Sequence, residues 1–271
     1  MKLVKCFFSI ESGRSAVVIL SWRLFSRTIG AKYRKSFLGY FWMIAPAIFI
    51  TGGVTLASRA GILNPGESVL PYPLFVFIGT LLWQIFAEAV DVGHKSFEGA
   101  RSYLTRVFFP REAIILAEFY ESLITTCVRL LMVVLLLAIG HEIDGKSVCI
   151  VASCFFGALF LGLGIGTVLM PFTLLFADLH NTIKLVLNYG IFFTPAIYLP
   201  QGNGFFATVV RWNPVSALMY SAREAAARLS LTQATELIFV LGAAVLLTMI
   251  GFILVRMVSP IVIERMLIGG R

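Results

Sequence analysis

Past residue 36 the chain is a series of long apolar blocks separated by short polar ones. The blocks run from about Phe37 to Ala57, Leu70 to Val90, Ile114 to Ile139, Val148 to Phe176, Ile183 to Leu199 and Leu237 to Val255. A helix needs roughly 20 apolar residues to cross about 30 Å of hydrocarbon. The pattern therefore predicts an all-α integral membrane domain over 37–271, a bundle of six transmembrane helices. Pro46 and Pro195 fall inside the first and fifth blocks.

The segment 1–36 has a different rhythm. Val18, Trp22, Phe25, Ile29 and Tyr33 recur every three or four positions, which puts them on one helical face. Arg23, Arg27 and Arg34 fall opposite. This predicts an amphipathic helix lying at the membrane surface. The run MKLVKCFFSI before it is too short and lacks the cleavage pattern of a signal peptide, so the N-terminus is expected to be retained. Between the fifth and sixth blocks, Phe205 to Trp212 and Val215 to Leu229 flank Asn213-Pro214. Both pieces are too short to span, so they are expected to dip into the membrane or to lie on it. No internal repeat is evident.

Composition agrees. The 271 residues are 59% hydrophobic and 13% charged, with a net charge of +8. In a soluble protein that excess would point to nucleic acid. Here Lys and Arg gather about three to one in segments 1–36, 91–113, 177–184 and 256–271, the pattern of cytoplasmic loops. The expected partner of the charge is membrane lipid, not nucleic acid, and both termini are expected in the cytoplasm. Cys6, Cys127, Cys149 and Cys154 make no C-x-x-C pair, and His94, His141 and His180 are far apart with no H-E-x-x-H, so no metal site is expected.

Little in the chain points to catalysis. No G-x-x-x-x-G-K-[ST] loop is present, so any ATP and Mg would be bound by another subunit. Ala158, Gly162 and Gly166 recur every fourth residue in an apolar block and predict close helix packing. Arg129 lies mid-block, where a cation needs a partner or a polar path. Glu88, Asp91 and Glu121 are candidate partners, and the alternative is contact with an anionic head group, with Arg34 and Lys35 as further candidates. His94 to Leu104 predicts a short amphipathic helix between two spans that could dock into a partner. Aromatic residues are dense in the first and fifth blocks: Phe41, Trp42, Phe49, Tyr189, Phe192, Phe193 and Tyr198. Their flat faces suit sugar rings, and Trp and Tyr also mark membrane interfaces.

Four stretches resemble the membrane subunits of ABC-2 type polysaccharide exporters. Tyr33-Arg34-Lys35-Ser36-Phe37-Leu38-Gly39-Tyr40-Phe41-Trp42 is similar to that family's R-Y-[KR]-x-[ST]-x-L-G-x-x-W, and Phe109-Pro110-Arg111-Glu112 to its F-P-R-E. Phe193-Thr194-Pro195-Ala196-Ile197-Tyr198 and Trp212-Asn213-Pro214 match two more motifs in the expected order. The resemblance implies a homodimeric permease in the bacterial inner membrane, driven by a separate P-loop ATPase. The exported substrate would be a lipid-linked polysaccharide such as O-antigen, capsule or teichoic acid. It further implies that the seven aromatic residues line the polysaccharide path. Arg23, Arg27, Lys95, Phe97, Glu98, Arg101 and Tyr103 would meet the ATPase. One departure is Ala177-Asp178, where the family carries Arg-Asp. The rival readings are an ABC-2 permease for drugs or lipids, and a membrane-embedded enzyme using Glu88, Asp91, Glu118 and Glu121.

Overall fold

A computed structural model describes residues 14–33, 39–62, 70–104, 112–140, 144–200 and 204–268. Among them all regular structure is helical. In chain order the helices are α1 (Arg14–Tyr33), α2 (Ala45–Arg59), α3 (Tyr72–Leu104), α4 (Glu112–Gly140), α5 (Gly145–Leu175), α6 (Ala177–Tyr189), α7 (Phe205–Trp212), α8 (Pro214–Ala226) and α9 (Ala234–Ile268). Short 3₁₀ turns, Gly39–Met43 and Gly190–Phe193, precede α2 and follow α6.

Among the described residues, four helices are long and apolar enough to cross a membrane: Tyr72–Gly99, Glu112–Ile139, Gly145–Leu175 and Ala234–Val258. They are the second, third, fourth and sixth apolar blocks. The first and fifth blocks are built differently. Pro46 sits in the first turn of α2, where its missing N–H costs nothing. The chain before it takes the 3₁₀ turn, leaving α2 with 15 residues, or ~22 Å of helix. In the fifth block, α6 has 13 residues and passes into the second 3₁₀ turn just before Pro195.

The expected short helix after the second block is also revised. No break separates it from the span: α3 runs on for 33 residues. The stretch from 91 to 104 holds no proline, and its two glycines, Gly93 and Gly99, are not at a helix end, so nothing in it stops the helix.

The fold is centred on α5, which lies between α3 and α9. Small residues allow both approaches. A methyl group at Gly162 would sit 2.5 Å from the Phe86 carbonyl oxygen and 2.7 Å from Ala89 Cβ, so α3 passes at backbone distance. At Gly164 it would meet Leu247 Cβ at 2.7 Å, so α9 is equally close on the other side. Thr248 Oγ1 adds a hydrogen bond to the Phe160 carbonyl at 2.7 Å. Such contacts replace the hydrophobic drive that helices lack in lipid.

The segment after Pro200 is part of the core. Asn213 caps α8, its side chain accepting the Val215 N–H at 3.0 Å, with Pro214 at the first helical position. Val215, Leu218, Met219 and Ala222 of α8 are buried among residues of α3 and α5. Arg223 completes the joint. Its guanidinium donates to the carbonyls of Phe75, Pro195 and Ala196 and lies 3.4 Å over the Phe75 ring.

Candidate functional site

The charged residue in mid-block is satisfied within the fold. Arg129 on α4 is 2% exposed. Its Nη1 and Nη2 donate to the Glu88 carboxylate on α3 at 3.0 and 2.6 Å, a two-pronged pair. Nε and Nη2 also donate to the Met43 carbonyl at 3.2 and 3.0 Å. Of the candidate partners, Glu88 makes this two-pronged pair. The guanidinium ties α3 and α4 to the end of the first 3₁₀ turn, so its donors are turned to protein. A lipid head group would have to displace Glu88 to reach them. Arg34 and Lys35 lie outside the described residues.

The pair borders a cavity of about 430 Å³ also lined by Thr28, Trp42, Lys95, Glu118 and Glu121. The lining carries three carboxylates against two cations, a poor match for an anionic ligand. Replacing Arg129 with Met should destabilise the fold by ~3–5 kcal/mol by stranding Glu88, whereas the Arg129→Met, Glu88→Met double variant recovers most of that loss. Thermal melting in detergent of the wild type, Arg129→Met, Glu88→Met and the double variant measures the coupling. Strictly additive losses would show that the pair is idle.

The aromatic residues behave differently. Phe41, Trp42, Phe49, Tyr189, Phe192 and Phe193 are all exposed. Tyr198 is half-buried: its ring stacks on Phe206 at 5.9 Å and its hydroxyl donates to the Phe192 carbonyl. The six exposed rings all come from the first and fifth blocks. The exposed surface of α4 is instead aliphatic, with Leu131, Met132, Leu135, Leu136 and Ile139.

On α1, Arg23 and Arg27 are exposed, while Phe25 is buried and packs with Trp22 on Tyr120 of α4 at 6.0 and 6.1 Å. Val18 and Trp22 remain exposed, so only part of the apolar stripe is covered by protein. Lys95 and Glu98 are exposed on α3. Phe97 is not available to a docking partner. It is fully buried with Ile114, Ile115, Met170 and Val255, where α3, α4, α5 and α9 meet, because the uninterrupted α3 turns this position inward. Arg101 and Tyr103 lie on α3, and their side chains are outside the described residues.

Two features escaped the sequence. Arg223 stands in an apparently polar connecting segment, and only tertiary structure shows it buried. His94 and His180 are separated by two whole spans, yet their rings stack at 3.3 Å with a 13° interplanar angle. His94 Nε2 is 3.1 Å from Glu98 Oε2, and His180 Nδ1 is 3.9 Å from Asp91 Oδ1. Burial first, then the His94 ring and Lys184, hold the His180 imidazole below its ordinary pKa against the opposing pull of Asp91 and Glu98. Only the His94–Glu98 spacing, i and i+4, was visible beforehand.

The described residues thus make a helical membrane protein with exposed aromatic side chains in its first and fifth blocks and a closely packed three-helix centre. No protein-family model matches the chain. Among curated proteins, it is similar to the O-antigen export system permease protein RfbA of Myxococcus xanthus. The two are 28% identical over 211 residues, covering 73% of this chain and 76% of that one. The resemblance to polysaccharide-export permeases carried by the four motifs is therefore matched across most of the chain.

Proposed function

We propose that this chain is the transmembrane subunit of an ATP-driven exporter of lipid-linked polysaccharide. Two copies would form the conduit in the bacterial inner membrane, both termini in the cytoplasm, above a separate P-loop ATPase that binds ATP and Mg. The similarity to an O-antigen export permease over 211 residues carries the reading. The division of the exposed surface supports it. Aliphatic side chains on α4 suit lipid tails, and aromatic ones from the first and fifth blocks suit a sugar chain passing between two copies. Contact with the ATPase falls to Arg23, Arg27, Lys95 and Glu98, with Arg101 and Tyr103 further along α3. That Thr28 of α1 and Lys95 of α3 border one cavity supports a shared contact surface.

Co-reconstitution with a candidate partner ATPase, followed by ATP-dependent transfer of labelled lipid-linked glycan, tests the reading. Transport of drugs or phospholipid without glycan transport would replace it with the rival permease class. Tyr189→Ala and Phe193→Ala should each slow glycan export about fivefold, taking an aromatic contact as ~1 kcal/mol. Protein levels should hold, and Leu135→Ala should export normally. Unchanged export in both aromatic variants would move the path elsewhere.

A further inference from the structure

We propose that His94, Glu98 and His180 form a binding site for a divalent transition metal of the zinc class, bridging α3 and α6. The site is independent of what the protein transports. One ligand atom from each of the three residues lies within 4.8 Å of the other two. The 3.1 Å between His94 Nε2 and Glu98 Oε2 is close to the edge of a tetrahedron with ~2 Å metal bonds, roughly 3.3 Å. Two imidazoles and a carboxylate are a ligand set that zinc uses, with a fourth position left for water.

An independent sign that the group is built for a ligand comes from an unsatisfied atom. His180 has a side chain only 10% exposed. Its Nε2 is buried without a hydrogen-bond partner, as is His94 Nδ1. Buried polar atoms are seldom left so, and the His180 Nε2 calls for an occupant; His94 Nδ1, on the far side of a ring that would ligate through Nε2, does not bear on the site. Asp91 stands beside His180 Nδ1, where a carboxylate outside the ligand set orients a ligating histidine. Lys95 does not compete for the site, since its ammonium is paired with the other oxygen of Asp91 at 3.3 Å. The stacked rings, 3.3 Å apart and nearly parallel, must turn out of the stack for both lone pairs to meet one metal, which would then fasten the far end of α3 to the beginning of α6.

The test uses the full-length chain in detergent, with any affinity tag removed and metals stripped by chelator. Zn²⁺ is titrated against a chromophoric chelator, and Co²⁺ is added separately as a spectroscopic probe. The expected result is one Zn²⁺ per chain and the strong visible absorption of four- or five-coordinate cobalt. Affinity should fall by about tenfold or more in His94→Gln, His180→Gln and Glu98→Gln. Zinc should raise the melting temperature of the wild type and not of His180→Gln. Glu98 is exposed, so its variant is expected to fold even where a histidine variant does not. Equal zinc affinity in wild type and Glu98→Gln, or cobalt that stays six-coordinate, overturns the proposal.

Discussion

Gly166→Val is expected to remove most folded protein from the membrane. Gly166 of α5 faces the backbone of α3, not a side chain that could swing away. A methyl group there would press on the Val90 carbonyl oxygen, with the carbonyl carbon at 2.7 Å and Cα at 2.9 Å. From the other side, Gly93 of α3 faces the Gly166 carbonyl oxygen, 2.9 Å from where its own methyl would be. Neither helix can yield without opening the rest of the interface. Overpacking usually costs ~1–3 kcal/mol, and a clash with backbone falls at the top of that range or beyond. Detergent melting curves measure the loss. Gly52→Val and Gly242→Val are the controls, because nothing lies within 4 Å of a methyl group at either site. If Gly166→Val melts with the controls, the close approach of α3 and α5 is not what holds the bundle.

The second large effect is expected at Arg223. Three carbonyls depend on its guanidinium, those of Phe75, Pro195 and Ala196. Arg223→Met would leave them buried and unanswered, at ~1–3 kcal/mol for each that water cannot reach. A total of ~3–5 kcal/mol is expected. Arg223→Lys should recover only part, because an ammonium is a point charge and cannot reproduce the planar fork that reaches carbonyls on two segments at once. Gly79 belongs to the same joint: a methyl group there would collide with Arg223 Nη2 and lie 2.6 Å from the Ala196 oxygen. Melting and monodispersity of the Met and Lys variants decide it. A Met variant as stable as wild type would mean that the carbonyls are hydrated in place.

The four long helices were readable because each is a mainly apolar run long enough to cross the membrane, and length and polarity are local properties. Observed limits such as Gly145–Leu175 fall within a few residues of those expected from Val148 to Phe176. The first and fifth blocks looked the same by hydropathy, and what separates them is backbone geometry around Pro46 and Gly190. Gly190 fits beneath the Trp83 ring, where a methyl group would come within 2.5 Å, and Trp83 Nε1 reaches the Leu187 carbonyl at 3.0 Å. That arrangement depends on α3, which no local pattern near residue 190 contains. Phe97 was misplaced for a related reason. Read as part of a separate loop helix it belonged to a surface, but on a continuous α3 it turns into the core. Arg129 advertised itself by being charged among apolar residues, while Arg223, with Glu224 beside it, did not.

The length of α3 has a mechanical consequence. Its 33 residues make a rod of ~50 Å with no break between the collar at Arg223 and the histidine pair. Phe75 and His94 stand on one stiff axis, ~29 Å apart. Tilting the rod at one membrane face must therefore swing its opposite tip, so α8 and α6 cannot move independently of each other.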